Sequence, residues 1–93
     1  MTKTERNRRD REFSAKVRAR GRCERCGKTA NLQAAHIFSR RYLRLRWLED
    51  NCLCLCAGCH LWAHANPLLF GEFCRCHMGE RKYQELINTR NTI

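Results

Sequence analysis

The sequence predicts a small α+β domain, in which two short strands and a helix are stapled together by four cysteines, with one helix before this unit and two after it. Three observations carry that expectation. Cys-x-x-Cys occurs twice, as Cys23/Cys26 and Cys56/Cys59, and a two-residue spacer lets both sulfurs of a pair reach one ion, so the four thiolates form the tetrahedral set that Zn²⁺ prefers. Between the pairs lie two short apolar runs of strand length, LQAAHIF and CLCLC. Outside the pairs, stretches of helix formers are punctuated by Gly21, Pro67 and Gly79. The 93 residues make one domain, spanning 1–93, and a chain of that length buries only roughly 60 to 65% of its unfolded surface. A metal staple is therefore expected to matter for its stability.

Taken in order, Thr2 and Glu5 have the spacing of a capping box, and residues 4–20 read as a helix that ends at Gly21. Its apolar stripe is Phe13 and Val17 with the alanines at 15 and 19. Arginines at 6, 8, 9, 11, 18 and 20 surround that stripe, either as a solvated face or as a phosphate-tracking surface. The first knuckle turns at Gly27. Residues 32–38 form a strand carrying His36 near its end. Residues 39–50, SRRYLRLRWLED, alternate arginine with apolar side chains and suit a strand, a helical turn or an ordered loop equally. Asn51 leads into the second strand, 52–56. The second knuckle then opens a helix over about 58–65, which places His60 and His64 four apart on one face. Helices over about 67–77 and 80–90 complete the chain, so the cysteine-stapled core covers about 22–66 and the C-terminal helices about 67–90.

Composition narrows the function classes. There are 19 Lys plus Arg against 9 Asp plus Glu, a formal charge of +10. Most of the positive residues are arginine, whose planar donor fork suits phosphate oxygens, so nucleic acid is the expected partner. Eight cysteines would also suit a secreted disulfide scaffold. Yet Met1–Arg11 is polar and lacks the apolar core of a signal peptide, and no run approaches the roughly 18 apolar residues of a membrane span. A reducing cytoplasm with thiolate-bound zinc, and no membrane partner, is the expectation.

A His ending one strand, an Asn opening the next and a His on the following helix give the order strand, loop, strand, helix. In CERCG at 23–27, LQAAHIFSRR at 32–41 and EDNCLCLCAGCHLWAH at 49–64, the chain resembles the HNH endonucleases of the ββα-metal class, and within them the short phage and prophage nicking enzymes with two zinc knuckles. ANPLLF and RKYQEL look like the same group, so the resemblance covers roughly residues 22–87. It implies an enzyme of a bacterium or phage-infected host cell that hydrolyses phosphodiesters of double-stranded DNA. His36 would be the general base, suited by an imidazole pKa near working pH. Asn51 would hold the loop that orients it. His60 would ligate a catalytic Mg²⁺ or Mn²⁺, distinct from a structural Zn²⁺ on Cys23, Cys26, Cys56 and Cys59. Many family members carry Asp or His just before the base as a second ligand, where this chain has Ala35. His64, one helical turn beyond His60, is the expected substitute, with a packing or phosphate-contacting role as its alternative.

Other residues carry rival readings. His60 could replace a cysteine on zinc, although four cysteines already fill a tetrahedral site. Cys52 and Cys54 would either crowd that site or serve as small buried apolar residues, the second being preferred. Cys74 and Cys76 on a helix point about 200° apart, which argues against a second metal there with His77. Arg40, Arg41, Arg44 and Arg46, interleaved with Tyr42 and Trp47, are expected on the DNA backbone rather than on a merely solvated face. Trp62 is expected in the core. One active site in so short a chain favours nicking by a monomer or weak homodimer. The alternatives to a nuclease are a non-catalytic zinc-ribbon module that binds nucleic acid, or a relative of the nucleases that lost activity with Ala35.

Overall fold

Thr2 starts the first helix, α1 (Lys3–Arg18), its hydroxyl accepting from the Glu5 N–H at 3.1 Å and so satisfying one of the unpaired donors of the first turn. The computed structural model describes residues 1–92; Ile93, the last residue of the expected domain, lies outside the described residues. α1 stops two residues short of the expected end because Arg20 and Gly21 close tighter turns onto Val17 and Arg18, and Gly21 takes φ +87°. Arg20 then turns inward to donate to the carbonyls of Cys52 and Glu49 at 2.8 and 3.0 Å. The buried stripe is narrower than expected. Phe13 and Val17, four apart, are buried, whereas Ala15 and Ala19 lie on the far side and are exposed.

Two antiparallel strands follow, β1 (Leu32–His36) and β2 (Cys52–Cys56), in a register that pairs Leu32 with Cys56 and His36 with Cys52. β1 was expected to reach 38. It ends at His36 because β2 begins at Cys52, and Asn51 takes over the next two N–H groups, its carbonyl accepting from Ile37 and its side chain from Phe38, each at 2.9 Å. All of β2 is buried. Its alternation splits the core: Leu53 and Leu55 pack with Ala35, Ala63, Phe70 and Cys74, while Cys52 and Cys54 sit under Phe13 and Val17 of α1. These two cysteines are the small residues that let a lone helix lie close on that face. Burial pushes the Cys52 thiol up to about 12, which leaves it an inert, protonated side chain.

The connection 39–50 is neither strand nor one helix. It contains a single helical turn, α2 (Leu43–Arg46), then a 3₁₀ turn over Glu49–Asn51, anchored by the fully buried Leu45. After β2 come α3 (Ala57–Ala65), α4 (Pro67–Met78) and α5 (Glu80–Asn91). Pro67 occupies the first turn of α4, where a missing N–H costs nothing, and Gly79 at φ +92° allows the break before α5. Cys74 is buried and Cys76 exposed, on opposite sides of α4. The sheet thus lies between α1 on one face and α3 with α4 on the other. Among the described residues no helix is long and apolar enough to cross a membrane.

Candidate functional site

The sulfurs of Cys23, Cys26, Cys56 and Cys59 lie within 4.8 Å of one another, a set that could hold a metal ion such as zinc. The first knuckle is shaped by a Gly27 N–H bond to the Cys23 carbonyl at 2.9 Å, with Gly27 at φ +83°. In the second, Cys56 caps α3, its sulfur accepting from the Cys59 N–H at 3.5 Å. Sulfurs about 2.3 Å from one tetrahedral ion stand roughly 3.8 Å apart; Cys26 and Cys56 are at 3.6 Å. Burial pushes the Cys23 thiol up, but backbone N–H groups of Cys26, Cys56 and Arg25 outweigh it and bring it down to about 6. The Cys56 thiol is likewise lowered, chiefly by the Cys59 N–H. Cys59 itself is pushed up to about 12 by burial. His60 is no member of this set; its nitrogens are turned elsewhere.

A residue that sequence reasoning missed fastens the knuckle. Glu24, between the first two cysteines, accepts from the Cys54 N–H at 2.6 Å, from Arg20 at 3.0 Å and from His77 at 3.0 Å. Burial raises its pKa, but these three donors outweigh that and hold the carboxyl below its usual value. His77, considered above as a metal ligand, is engaged here.

Beside the cysteines, a cleft of about 650 Å³ opens between the end of β1 and the helices α3, α4 and α5. His36, Arg40, His60 and His64 all line it, with Phe70 and Tyr83 across from them. His36 is half-buried on the Phe13 ring, centroids 5.7 Å apart, and its Nε2 meets the Arg46 carbonyl at 2.9 Å. A carbonyl only accepts, so Nε2 carries the proton and Nδ1 keeps the lone pair. Burial holds the His36 pKa below 6.5; the Arg46 carbonyl works against that, Arg40 reinforces it and Asp10 opposes it. At neutral pH the ring is therefore an uncharged base.

Asn51, 0% exposed, clamps the loop that carries this carbonyl. Its Oδ1 accepts from the Phe38 N–H at 2.9 Å, and its Nδ2 donates to the carbonyls of Phe38 and Leu45, both at 3.0 Å. One side chain thus ties the exit of β1 to α2.

On α3, the Nε2 atoms of His60 and His64 are 3.2 Å apart. Two nitrogens about 2.1 Å from one ion stand roughly 3 Å apart, so the pair has the spacing of adjacent ligands. His60 Nδ1 donates to Gln33 Oε1 at 2.7 Å, which makes Nδ1 the protonated nitrogen and leaves Nε2, with its lone pair, accepting from His64 Nε2. Burial lowers the His60 pKa, and the neighbouring His64 and His36 lower it further. Gln33 was also missed, although period-2 alternation puts it two residues from Ala35 on the face toward α3. Ala35 itself is 1% exposed, packed in the apolar cluster, and offers no ligand atom.

The arginines divide. Arg40 lines the cleft, and Arg41 and Arg44 are exposed, Arg41 against the Tyr42 hydroxyl at 3.1 Å. Arg46, expected on the DNA backbone, is instead folded inward: its Nη2 and Nε reach the two oxygens of Asp10 at 2.6 and 2.9 Å, with side chains 14% and 20% exposed. The Arg46 guanidinium holds the Asp10 carboxyl down to about 2, against burial and with help from Trp47. Asp10 escaped notice because the apolar positions and the arginines of α1 were weighed and its one mid-helix aspartate was not, yet it continues the Phe13 and Val17 stripe. Trp62, expected in the core, is half-buried against it, meeting Phe70 and Phe73 edge-on and covered by the Arg25 guanidinium 3.6 Å away. Family models, curated proteins and solved structures yielded no match to this chain.

Proposed function

We propose that this chain is a divalent-metal-dependent endonuclease that hydrolyses phosphodiester bonds of double-stranded DNA, nicking one strand per encounter, with zinc on its four cysteines as a structural staple. The observation that carries the proposal is the convergence of His36, His60, His64 and Arg40 in one cleft of a strongly basic chain. The resemblance to HNH endonucleases in the sequence supports the same reading. His36 acts as general base: as a water oxygen bonds to phosphorus, its proton passes to Nδ1, and the bond to the leaving 3′ oxygen breaks. The Nε2 proton stays on the ring, donated to the Arg46 carbonyl, which leaves Nδ1 as the nitrogen free to take a proton. His60 and His64 would hold the divalent ion, which would neutralise charge on the scissile phosphate and the leaving oxygen. Gln33 fixes His60 so that Nε2 is the ligating atom. No carboxylate lines this cleft among the described residues, and imidazole donors rank Mn²⁺ above Mg²⁺. Arg40 lies where it can bind a phosphate oxygen, and Arg41 and Arg44 extend that contact along the backbone.

The test is relaxation of supercoiled plasmid with Mn²⁺ or Mg²⁺, followed by mapping of the ends. Wild type should nick and His36→Ala should bind DNA without nicking. Equal relaxation by the variant, or none by wild type with any divalent ion, removes the catalytic role. Salt-dependent binding without cleavage would leave a zinc-stapled nucleic-acid-binding module in its place.

A further inference from the structure

Resting on the nuclease reading, we infer that Asp10, outside the strand-loop-strand-helix unit, is the positioning residue for His36. The acceptor that fixes the His36 ring is the carbonyl of Arg46, the last residue of the single helical turn α2. The Trp47 N–H of that peptide bonds the Leu45 carbonyl, which Asn51 also holds at 3.0 Å, but those bonds leave free the two side chains that flank the peptide. Asp10 holds both. Its Oδ2 accepts from Arg46 Nη2 at 2.6 Å, and its Oδ1 accepts from Arg46 Nε and from Trp47 Nε1, each at 2.9 Å. One carboxylate therefore grips the two side chains that flank the very peptide whose oxygen meets His36 Nε2.

The geometry makes α1 a scaffold for the base. Asp10 and Phe13 are three residues apart on one helix face; Phe13 is the floor under the His36 ring and Asp10 secures its hydrogen-bond acceptor. The grip is charge-assisted and bidentate, the most directional pairing a guanidinium makes. Arg46 Nη1 adds a bond to the Arg40 carbonyl at 3.3 Å, so the same anchor sets the backbone from which Arg40 enters the cleft. Without Asp10 the fork of Arg46 and the Trp47 indole are released, the Arg46 carbonyl loses the side-chain anchors on either side of it, and His36 is held less tightly as the Nε2–H tautomer.

Full-length, zinc-loaded Asp10→Ala and Asp10→Asn variants test this. Asp10→Asn keeps one acceptor and turns the other oxygen into a donor facing Arg46, so it carries the test if Asp10→Ala does not fold. Circular dichroism and zinc content check the fold. The decisive readout is the ¹⁵N spectrum of labelled histidine: wild type should show His36 as Nε2–H alone, and the variants a mixture of the two tautomers. With plasmid substrate, kcat should fall about 10- to 100-fold with KM nearly unchanged, since misplacing a base loses the transition state and not binding. A folded variant that keeps the single Nε2–H tautomer and wild-type kcat overturns the inference. Should wild type cleave nothing, the nuclease reading falls alone, because the tautomer measurement still decides what Asp10 does.

Discussion

Replacing Asn51 should uncouple the loop that aims His36, at a cost that can be counted from its bonds. Asn51→Ala removes one acceptor and two donors, leaving the Phe38 N–H, the Phe38 carbonyl and the Leu45 carbonyl without their partner. The two groups on Phe38 are half-buried and lose about 1 kcal/mol each, and the buried Leu45 carbonyl, which still accepts from the Leu48 N–H at 3.3 Å, loses about 1. The sum, about 3 kcal/mol, is a large part of the roughly 5–15 kcal/mol by which a domain is stable. With a urea dependence near 1.5 kcal/mol per molar, the midpoint should fall by about 2 M. Zinc must be held at one free concentration, because metal bound only to the native state shifts the midpoint by mass action. Asn51→Asp is the sharper variant. It keeps the shape and the Phe38 N–H acceptor but sets a carboxylate oxygen against two carbonyls, so at neutral pH it should be no more stable than Asn51→Ala. A loss below about 1 kcal/mol for Asn51→Ala, or wild-type stability for Asn51→Asp, would show that this clamp does not hold the loop.

Other expectations can be checked separately. Cys23→Ser or Cys56→Ser should abolish stoichiometric zinc and the far-ultraviolet signature of the fold, since the two knuckles join α3 to the segment before β1; a variant that is folded without metal would refute a structural role for zinc. Because burial holds the His36 pKa below 6.5, cleavage should fall with acid only below that value, and the stability that comes from keeping the ring neutral is present above 6.5 and lost as pH falls; an acid limb at or above 6.5 would contradict the burial. Asp10, held at about 2 against a usual 3.8, contributes about 2 kcal/mol that is complete above 3.8 and lost as pH falls through about 2. Urea melts should therefore show Asp10→Asn less stable than wild type at pH 7, with the gap closing in acid, and a constant gap would refute the ion pair. Arg40→Ala should weaken DNA binding and reduce the salt slope by about 1 without loss of stability, whereas Arg46→Ala should destabilise the fold; equal effects on both properties would contradict their separate places.

Much of the fold is local and was legible. Thr2 caps α1, Pro67 starts α4 and Gly79 divides α4 from α5 where their backbone chemistry says they must. The spacing of the cysteine pairs anticipated that four sulfurs would meet, and i, i+4 spacing anticipated that His60 and His64 would. The segment 39–50 resisted because its pattern, arginine against apolar residues, fits more than one period. What settles it is Leu45 seeking burial and Asn51 accepting its neighbours' backbone groups, neither of which is local. The division among the arginines has the same origin. Arg40 and Arg46 are alike in sequence, but only Arg46 meets Asp10, a residue 36 positions away that α1 carries over the sheet. Periodicity and punctuation thus located α1, α3, α4, α5, the two strands and each cysteine pair, because those are set by neighbours along the chain. Tertiary packing alone decided which charges turn inward and how His36 is held, because those choices are made by partners that only the folded chain brings together.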